Sequence, residues 1–509
     1  MNDRRTAQIP SPRVAALVLN SVNHDARVLK EADSLAEEGF DVHIIGIQDN
    51  RCNDPVTRRS DNVTVHRVDL GPRLLLQRYR IRARVLLLGV GMMVILAVVS
   101  LFTPLRVLLN RIEEPLMSFG LLPSLIAGGS LLAAASLLAR QRRASRSSKI
   151  KQREIFGAVA SRSVASVGIG SLLIKSRSMV SSLLSTWHQS RKQRVVSRVY
   201  RQELDRLKPQ AVHCHDLPML PVGAKWCETN ASAFLVFDSH ELYEEVSQMH
   251  PLKRRIWQRV LRRESPKVDA FITVNDSIAG EHARRYPSLP PAVVVKNATI
   301  FDGEPLAPSR LLRAAADLED DRRILLYQGG FARHRGLEGL VRAAAQIPEP
   351  WVLVMMGWGN IEDDLKVIAQ NVDPNGHRIR FIPPAPQAEL QSWTSGGDLG
   401  VIPYENTCLN HWYCSPNKLW EYPVAGVPML VSPFPELKTV VDTHGIGICI
   451  PEELDGTALS KILAGIDGQR LETMQKACRT YIEHDNWAVY ARRLVGIYTE
   501  RFDVETAAV

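Results

Sequence analysis

Three charged side chains in the second half of the sequence, one acid and two bases, are of types that can bind a polar ligand. Glu421 follows Lys418 by three residues in the segment SPNKLWEYPVAGVPMLVS, and Arg335 lies in the glycine-rich segment YQGGFARHRGLEGLV. A carboxylate can accept two hydrogen bonds from a pair of hydroxyls, and lysine and arginine can bind anionic groups. A lone glycine-rich turn is weak support, because such turns close many strand-to-helix junctions. The interpretation therefore depends on the elements around these residues.

Histidines and acids recur in three segments of the first half. The segments are NSVNHDARVLKEA (20–32), VHCHDLPML (212–220) and DSHELY (238–243). On its strand, His213 is expected to point away from His215 and to have a structural role. The candidate site residues of the three segments are Asn23, Asp25, Arg27, His215, His240 and Glu241.

The apolar runs around these segments predict a doubly wound α/β domain. Residues 14–19 and 42–47 are apolar, and between them apolar residues recur at helical spacing until Gly39. Continuous apolar runs are typical of parallel strands that are buried on both faces. Further strands are predicted at 63–68, 211–214, 234–237, 270–274 and 293–295.

A second α/β series follows a polar, proline-containing link at residues 302–322. Two doubly wound domains in one chain place a ligand cleft between the carboxyl ends of their strands. The charged and histidine-containing segments come at strand ends, so we expect them to meet in this cleft. The strands of the second series are predicted at 324–328, 351–356, 378–382, 399–402 and 429–431.

Residues 415–432 resemble the nucleotide-sugar signature of the family-four-like retaining glycosyltransferases. That family has the GT-B architecture, a pair of facing Rossmann-like domains. The resemblance implies that Glu421 binds the donor ribose, and that Arg335 and Lys418 act on the diphosphate of a nucleotide-sugar donor. The other donor-site residues that it implies are Asn417, Gly329 and Gly330.

The segments of the first half also resemble motifs of this family. His215 matches the histidine that lies beside the donor sugar, and DSHELY corresponds to a second histidine-containing loop with His240 and Glu241 as candidates. Residues 20–32 resemble the loop and helix start that face the acceptor and the phosphates. The resemblance implies retention of anomeric configuration and no strong protein nucleophile.

Two positions depart from the family pattern. Many members have a glutamate eight positions before the ribose-binding one, and it touches the donor sugar; here that position is Tyr413. Gly330 stands where the family often has a second basic residue, for which Lys418 or Arg333 could compensate. The departure at Tyr413 affects the identity of the donor sugar more than nucleotide binding.

Two long apolar segments interrupt the first α/β series. Residues 85–102 and 115–138 contain no charged residue. At 1.5 Å per residue they span about 27 and about 36 Å as helices, which brackets a hydrocarbon thickness of roughly 30 Å. A buried helical hairpin of a large core is the alternative, although core helices usually keep a polar stripe. We expect an inserted hydrophobic helical hairpin with two transmembrane segments.

Basic residues flank this predicted hairpin on both sides. Five arginines lie in 73–84, and seven lysines and arginines lie in 140–153 without an acid among them. The positive-inside rule then places the catalytic domains in the cytoplasm, at the inner cell membrane. The net charge is +9, and much of the excess lies here, so anionic lipid is the expected partner rather than nucleic acid. No D-x-D motif follows a strand, so metal-independent catalysis is expected; no cofactor is expected, since the nucleotide-diphosphate sugar is the donor substrate.

These observations predict a glycosyltransferase that moves a sugar from a nucleotide-sugar, with retention, to a lipid-linked saccharide in envelope or exported polysaccharide synthesis. The alternatives are a GT-B-type nucleotide-sugar epimerase and a non-catalytic membrane scaffold that binds nucleotide-sugars. The predicted parts are an acceptor-side Rossmann-like domain (1–70 and 201–301), the hairpin with a basic linker (71–200), a nucleotide-sugar-binding domain (323–485) and a C-terminal helix (486–509).

Overall fold

The part of the chain that the structure describes contains two predominantly parallel sheets. The structure is a computed structural model, and it describes residues 11–70 and 191–502 apart from 24, 50, 51, 53, 248 and 305. The elements named below belong to one compact unit, which consists of residues 1–70 and 192–509.

The first sheet has eight strands in the order β3-β4-β2-β1-β5-β6-β7-β8, and its neighbours are parallel except for β3 and β4. Val14 of β1 pairs with Val42 of β2 on one side and with Ala211 of β5 on the other. The chain therefore leaves the sheet after β4 and returns next to its first strand. The strands are β1 (Arg13–Leu17), β2 (Asp41–Ile47), β3 (Val56–Ser60), β4 (Val63–Val68), β5 (Ala211–His215), β6 (Phe234–Ser239), β7 (Ala270–Thr273) and β8 (Ala292–Val294).

The central strands of this sheet are buried on both faces, as expected for a parallel sheet covered by helices. All residues of β5 and β6 are buried, so the polar residues of β5 and β6 must find partners inside the protein. The helices of this half are α1 (Ala26–Glu37), α2 (described over 192–207), α3 (Leu220–Cys227), α4 (Pro251–Glu264) and α5 (Asp276–Arg285).

The second sheet has six parallel strands in the order β11-β10-β9-β12-β13-β14. Its central strands carry an aliphatic core, in which Leu325, Leu353 and Val401 are fully buried. The strands are β9 (Arg323–Phe331), β10 (Trp351–Gly359), β11 (Ile379–Ile382), β12 (Leu399–Ile402), β13 (Met429–Val431) and β14 (Gly447–Cys449).

The last helix of the described chain packs against the first half rather than the second. The Trp487 indole donates to Ser34 Oγ (3.0 Å), and the Tyr498 ring lies 5.8 Å from that of Phe40. The predicted C-terminal helix thus completes the first α/β half. The helices of the second half and this last helix are α6 (Leu311–Ala315), α7 (Leu337–Ala343), α8 (Glu362–Val372), α9 (Leu390–Thr394), α10 (Leu409–Trp412), α11 (Lys418–Val424), α12 (Pro435–His444), α13 (Gly456–Ala464), α14 (Gly468–His484) and α15 (Trp487–Phe502).

The prediction of two doubly wound α/β halves is confirmed by these sheets. The apolar segments 85–102 and 115–138, on which the predicted membrane hairpin depends, lie outside the described residues. Among the described residues, no helix has the length and apolar character that crossing a membrane requires.

Candidate active site

A cleft of about 1190 Å³ lies where the carboxyl ends of the two sheets face each other. This is the position that doubly wound domains provide for a ligand. Its wall includes all three predicted charged residues of the second half, Arg335, Lys418 and Glu421, and also Asn417. The first half contributes Asp25, Arg27, His240 and Glu241.

Two cations meet at the centre of the cleft without a carboxylate beside them. Arg335 donates to the Tyr404 hydroxyl and lies over its ring, and Lys418 Nζ is 3.5 Å from the same hydroxyl. Burial raises the pKa of Tyr404 to about 12, so the phenol stays neutral. Neither cation forms an ion pair with an acid of the described chain. Because Lys418 is buried, an anionic ligand bound here would compensate its positive charge.

A glycine makes room for the Lys418 ammonium. Gly329 directly follows the predicted strand 324–328, lies within β9, and has φ +119°, a conformation that L side chains rarely adopt. A Cβ at this position would lie 3.1 Å from Lys418 Nζ. Gly330, the other predicted donor-site glycine, has open space around it and is not part of the cleft wall.

Glu421 lies on α11 and is oriented by a buried amide. Gln328 Nε2 donates to Glu421 Oε2 (2.9 Å), and Gln328 Oε1 accepts from the Thr394 hydroxyl (2.7 Å). The second carboxylate oxygen is left for a ligand on the cleft side. Asn417, next to α11, accepts a hydrogen bond from Asn297 of the first half (2.7 Å), so it bridges the two walls.

His240, and not His215, is the histidine that reaches the cleft. His215 is only 4% exposed and is not part of the wall; its Nδ1 lies 3.3 Å from His240 Nε2. The structure does not place His215 in the cleft wall, because β5 is buried on both faces, and its role beside the donor sugar stays a prediction. The predicted orientation of His213 is wrong: its ring stacks on that of His215 at 4.2 Å, since residues two apart on a strand share a face.

His240 is held as a cation by two acids. Burial lowers its pKa, but the neighbouring Asp216 and Asp238 outweigh burial and raise the pKa of His240 to about 9. Its Nε2 lies 3.1 Å from Asp238 Oδ2, whereas Nδ1 is 3.6 Å from Asp216 Oδ2, too far for a good hydrogen bond. The Nδ1–H of His240 therefore has no close side-chain acceptor among the described residues.

Arg27 is only 4% exposed and contacts the same carboxylate as His240, that of Asp238. Arg27 Nη2 lies 2.9 Å from Asp238 Oδ2, and Arg27 Nε lies 2.8 Å from Glu31 Oε1. Although burial raises the pKa of an acid, Arg27 and His240 hold the pKa of Asp238 well below its usual range. The ionised Asp238 in turn keeps His240 protonated.

Four of the buried groups around Arg27 have the donor types of a metal site. The ligand atoms of Glu31, His213, His215 and Asp238 lie within 4.8 Å of one another. The Arg27 guanidinium already contacts both carboxylates, so the positive charge that balances them is built into the protein. This arrangement fits a charge network better than a cation site.

The structure separates the two predicted residues at the start of α1. Asp25 caps the helix by accepting from Val28 N (3.3 Å), accepts from Asn20 Nδ2 (2.7 Å), and lines the cleft. Asn23 accepts from Arg67 Nη2 (2.7 Å) and is not part of the wall, so the structure does not bring it to the cleft, and its role towards the acceptor and the phosphates stays a prediction.

Sequence reasoning did not identify three residues that organise the site. Tyr404 follows β12, and Gln328 precedes Gly329 on β9, so the rule that ligands meet strand ends could have indicated both. Asn410 lies on the four-residue helix α10, for which the sequence carries no comparable signal. Its amide contacts the opposite wall at Glu241.

Both halves of this cleft match families of known enzymes. Residues 177–299 match the family described as Glycosyltransferase Family 4, and residues 322–464 match the family described as Glycosyl transferases group 1. The chain therefore carries two glycosyltransferase domains. Its domains are of the type that uses nucleotide-sugar donors, which agrees with the predicted enzyme class.

The relatives agree with this assignment. A D-inositol 3-phosphate glycosyltransferase of Thermobispora bispora is 25% identical over 210 residues. The match spans 39% of this chain and 47% of the relative, less than half of its length.

The solved structures that resemble this glycosyltransferase show its fold. Sucrose-phosphate synthase from Thermosynechococcus elongatus superposes with a TM-score of 0.62 at 15% identity, covering 97% of this chain and 100% of that one. A glycosyltransferase from Rickettsia africae gives 0.55 at 11% identity, with coverages of 97% and 100%. Together with the two parallel sheets, these likenesses confirm the GT-B-like architecture.

Proposed function

We propose that this glycosyltransferase moves a sugar from a nucleoside-diphosphate sugar, with retention, to a lipid-linked saccharide during envelope or exported polysaccharide synthesis. The observation that carries the donor part is the pair Arg335 and Lys418, two cations at the centre of the cleft without a carboxylate partner among the described residues. A diphosphate supplies the missing negative charge.

The second half has side chains suited to the ribose and to the diphosphate of the nucleotide. Glu421 has one oxygen engaged by Gln328 and one for the ribose diol. The diphosphate lies on Arg335 and Lys418, which stabilise its growing charge as the glycosidic bond breaks. The sugar then extends towards the first half, where His240 Nδ1–H donates to a donor oxygen.

The route we propose is dissociative and needs no protein nucleophile. The bond between the sugar and the diphosphate breaks first, and the diphosphate keeps the electron pair. The acceptor hydroxyl then attacks from the face that the leaving group occupied and releases its proton to the departing phosphate. The new bond therefore has the configuration of the old one.

The lipid part of the proposal depends on the apolar segments 85–102 and 115–138 and on one described surface. Helix α4 carries Arg255 and Arg259 exposed and without an acidic partner in the described chain. Next to them lie the partly exposed Ile256 and Val260. A stripe of cations and aliphatic side chains fits an anionic membrane surface. We propose that the catalytic halves lie on the cytoplasmic side of the inner membrane.

The experiment is transfer by the purified full-length protein in detergent, with a panel of nucleotide-sugars and polyprenyl-diphosphate-linked acceptors. Arg335→Ala and Glu421→Ala are compared with Arg342→Ala, which removes an exposed cation of α7 outside the cleft. We expect one donor to be consumed, the first two variants to lose at least about a hundredfold in activity, and the control to keep it. Cosedimentation with anionic and neutral vesicles measures the membrane part in the same preparation.

Each alternative gives a different result in this experiment. Donor binding without turnover on any acceptor contradicts transfer and favours a scaffold. Conversion of one nucleotide-sugar into its epimer without an acceptor identifies an epimerase. Equal binding to anionic and neutral vesicles contradicts the anionic-lipid partner.

A further inference from the structure

Glu241 presents a carboxylate to the cleft from the loop that follows β6. The loop is fixed on both sides of the residue: His240 N donates to Asp216 Oδ1 (3.2 Å), and the Ser239 hydroxyl donates to the Glu241 carbonyl (2.8 Å). The Glu241 side chain is half-buried and forms part of the cleft wall. A backbone held this firmly limits where the carboxylate can lie.

The two oxygens of this carboxylate have different surroundings. Oε2 accepts a hydrogen bond from Asn410 Nδ2 (3.0 Å). Oε1 has no hydrogen-bond partner within the described chain, and it does not belong to the buried atoms that lack one. Oε1 of Glu241 is therefore open to the cleft and can accept hydrogen bonds from a ligand.

Asn410 holds Glu241 from the opposite wall of the cleft. It lies on α10 of the second half, and its Oδ1 also accepts from Leu242 N (2.9 Å). Leu242 is fully buried with Val274 and Ile278, and Tyr413 packs against this apolar group. One amide thus sets both the backbone and the carboxylate of the Glu241 loop, above a small apolar contact between the halves.

The other acids of the cleft wall are already assigned. Both oxygens of Asp25 accept hydrogen bonds at the start of α1, and Glu421 lies with the ribose on α11. Glu241 is thus the wall acid of the first half that keeps an unused oxygen in the described structure. It adjoins His240 and is tied to α10, which precedes the signature that holds Lys418.

We propose that Glu241 accepts hydrogen bonds from hydroxyls of the donor's sugar, and that Asn410 is its positioning residue. The inference rests on the proposed function, because it requires a sugar that extends from Arg335 and Lys418 towards the first half. Tyr413 stands where many family members have the glutamate that touches the sugar, and it packs in the apolar group instead. In this proposal, the carboxylate that faces the sugar therefore comes from the first half. A sugar hydroxyl group pairs well with a fixed carboxylate, and a sugar lacking that hydroxyl leaves it unsatisfied.

The test compares two equilibrium affinities in the full-length protein, measured by titration calorimetry. One ligand is the nucleotide-sugar that the wild type consumes, and the other is the nucleoside diphosphate alone. In Glu241→Gln we expect the nucleotide-sugar to bind about tenfold or more weakly, because the charged acceptor is lost. The nucleoside diphosphate is expected to bind within about twofold of wild type, which also shows that the variant is folded.

Asn410→Ala tests the positioning role, and Glu405→Gln is the matched control. Asn410→Ala is expected to act in the same direction as Glu241→Gln but less strongly, and the double variant is expected to be no worse than Glu241→Gln alone. Glu405 is a carboxylate of the second half that is not part of the cleft wall, so both affinities should be unchanged in Glu405→Gln.

Three results overturn the inference. If Glu241→Gln weakens the binding of both ligands equally, the residue has a structural role. If it changes only the KM for the acceptor in the transfer assay, the residue contacts the acceptor. Unchanged affinities for both ligands remove any role in binding. If the wild type neither binds nor consumes any nucleotide-sugar, the proposed function itself fails, and this is seen before any variant is compared.

Discussion

His240 has a charge that depends on its neighbours and not on solvent. Asp216 and Asp238 raise its pKa to about 9 against the lowering effect of burial, and Arg27 keeps Asp238 ionised. When the imidazolium loses a proton, Asp238 retains the one on Nε2, because that hydrogen bond is the shorter. The Nδ1 of His240 then changes from a donor into an acceptor.

Activity is therefore expected to fall as the pH rises through about 9. The raised pKa also affects the free energy of unfolding. The charged form of His240 contributes fully to this free energy below pH 6.5, the pKa in the unfolded chain, and the contribution is lost as the pH rises from 6.5 through about 9. The measurement is kcat/KM from pH 6 to 10 for wild type and His240→Gln. The basic limb should disappear in the variant, whose remaining activity should be low and flat. A limb that persists unchanged in His240→Gln would assign it to another group.

At this scale the sequence identified the segments that reach the cleft, but not always the side chain that lines it. Glu421, Lys418, Arg335 and Asp25 all line the cleft as predicted. His215 does not, because the pattern VHCH does not reveal whether its second histidine is the last buried residue of a strand or the first exposed one. Which residue of a segment leaves the sheet depends on pairing register, and that is a property of neighbouring strands.

At the scale of elements, the absence of a side chain at Gly329 of β9 leaves room for the Lys418 ammonium of α11. Gly329 adopts φ +119°, and the space where its side chain would be lies next to Lys418 Nζ on α11. The cation reaches the centre of the cleft because the strand passes it without a side chain. The glycine-rich turn therefore acts on the diphosphate through Lys418 as well as through its own backbone.

Gly329→Ala is expected to weaken nucleoside-diphosphate binding by about tenfold or more, because the methyl group strains the backbone and displaces the Lys418 ammonium. The matched control is Gly339→Ala, which places a methyl group on α7 where no atom lies within 4 Å. Titration calorimetry of both variants measures the effect. Equal affinities in the two variants would contradict this role of Gly329.

The elements of both sheets could largely be predicted, since strands buried on both faces leave continuous apolar runs. The predicted runs at 211–214 and 351–356 are the cores of β5 and β10. The exposed strand β3 (Val56–Ser60) and the short strand β14 (Gly447–Cys449) were missed. Neither has the apolar run of a central strand, and each forms because a neighbour offers unpaired backbone groups at the sheet edge.

At the scale of the whole molecule, α15 joins the end of the described chain to its beginning. The Tyr498 hydroxyl and His213 Nδ1 form a buried hydrogen bond of 2.9 Å, and the Tyr498 ring contacts Phe40 and Phe234. His213 belongs to the same strand as His215, which contacts His240. The last helix thus reaches the network behind the active site.

Tyr498→Phe is expected to lower the free energy of unfolding by about 1–3 kcal/mol, because His213 Nδ1 loses its buried partner. Tyr243→Phe is the control, since it removes the hydroxyl of a half-buried tyrosine outside the cleft wall and should cost less than about 0.5 kcal/mol. Denaturant unfolding of the two variants gives the comparison. Equal losses would mean that the hydrogen bond to His213 contributes nothing of its own.

The return of α15 to the first half sets an order of events during synthesis. Strand β1 leaves the ribosome before its neighbour β5, which begins at residue 211, and the helix that covers Phe40 begins only at residue 487. Domains usually fold as they emerge. Here the second half can fold as it emerges. The first half is completed only when the last helix has been made, and until then its apolar surface is exposed to chaperones and proteases.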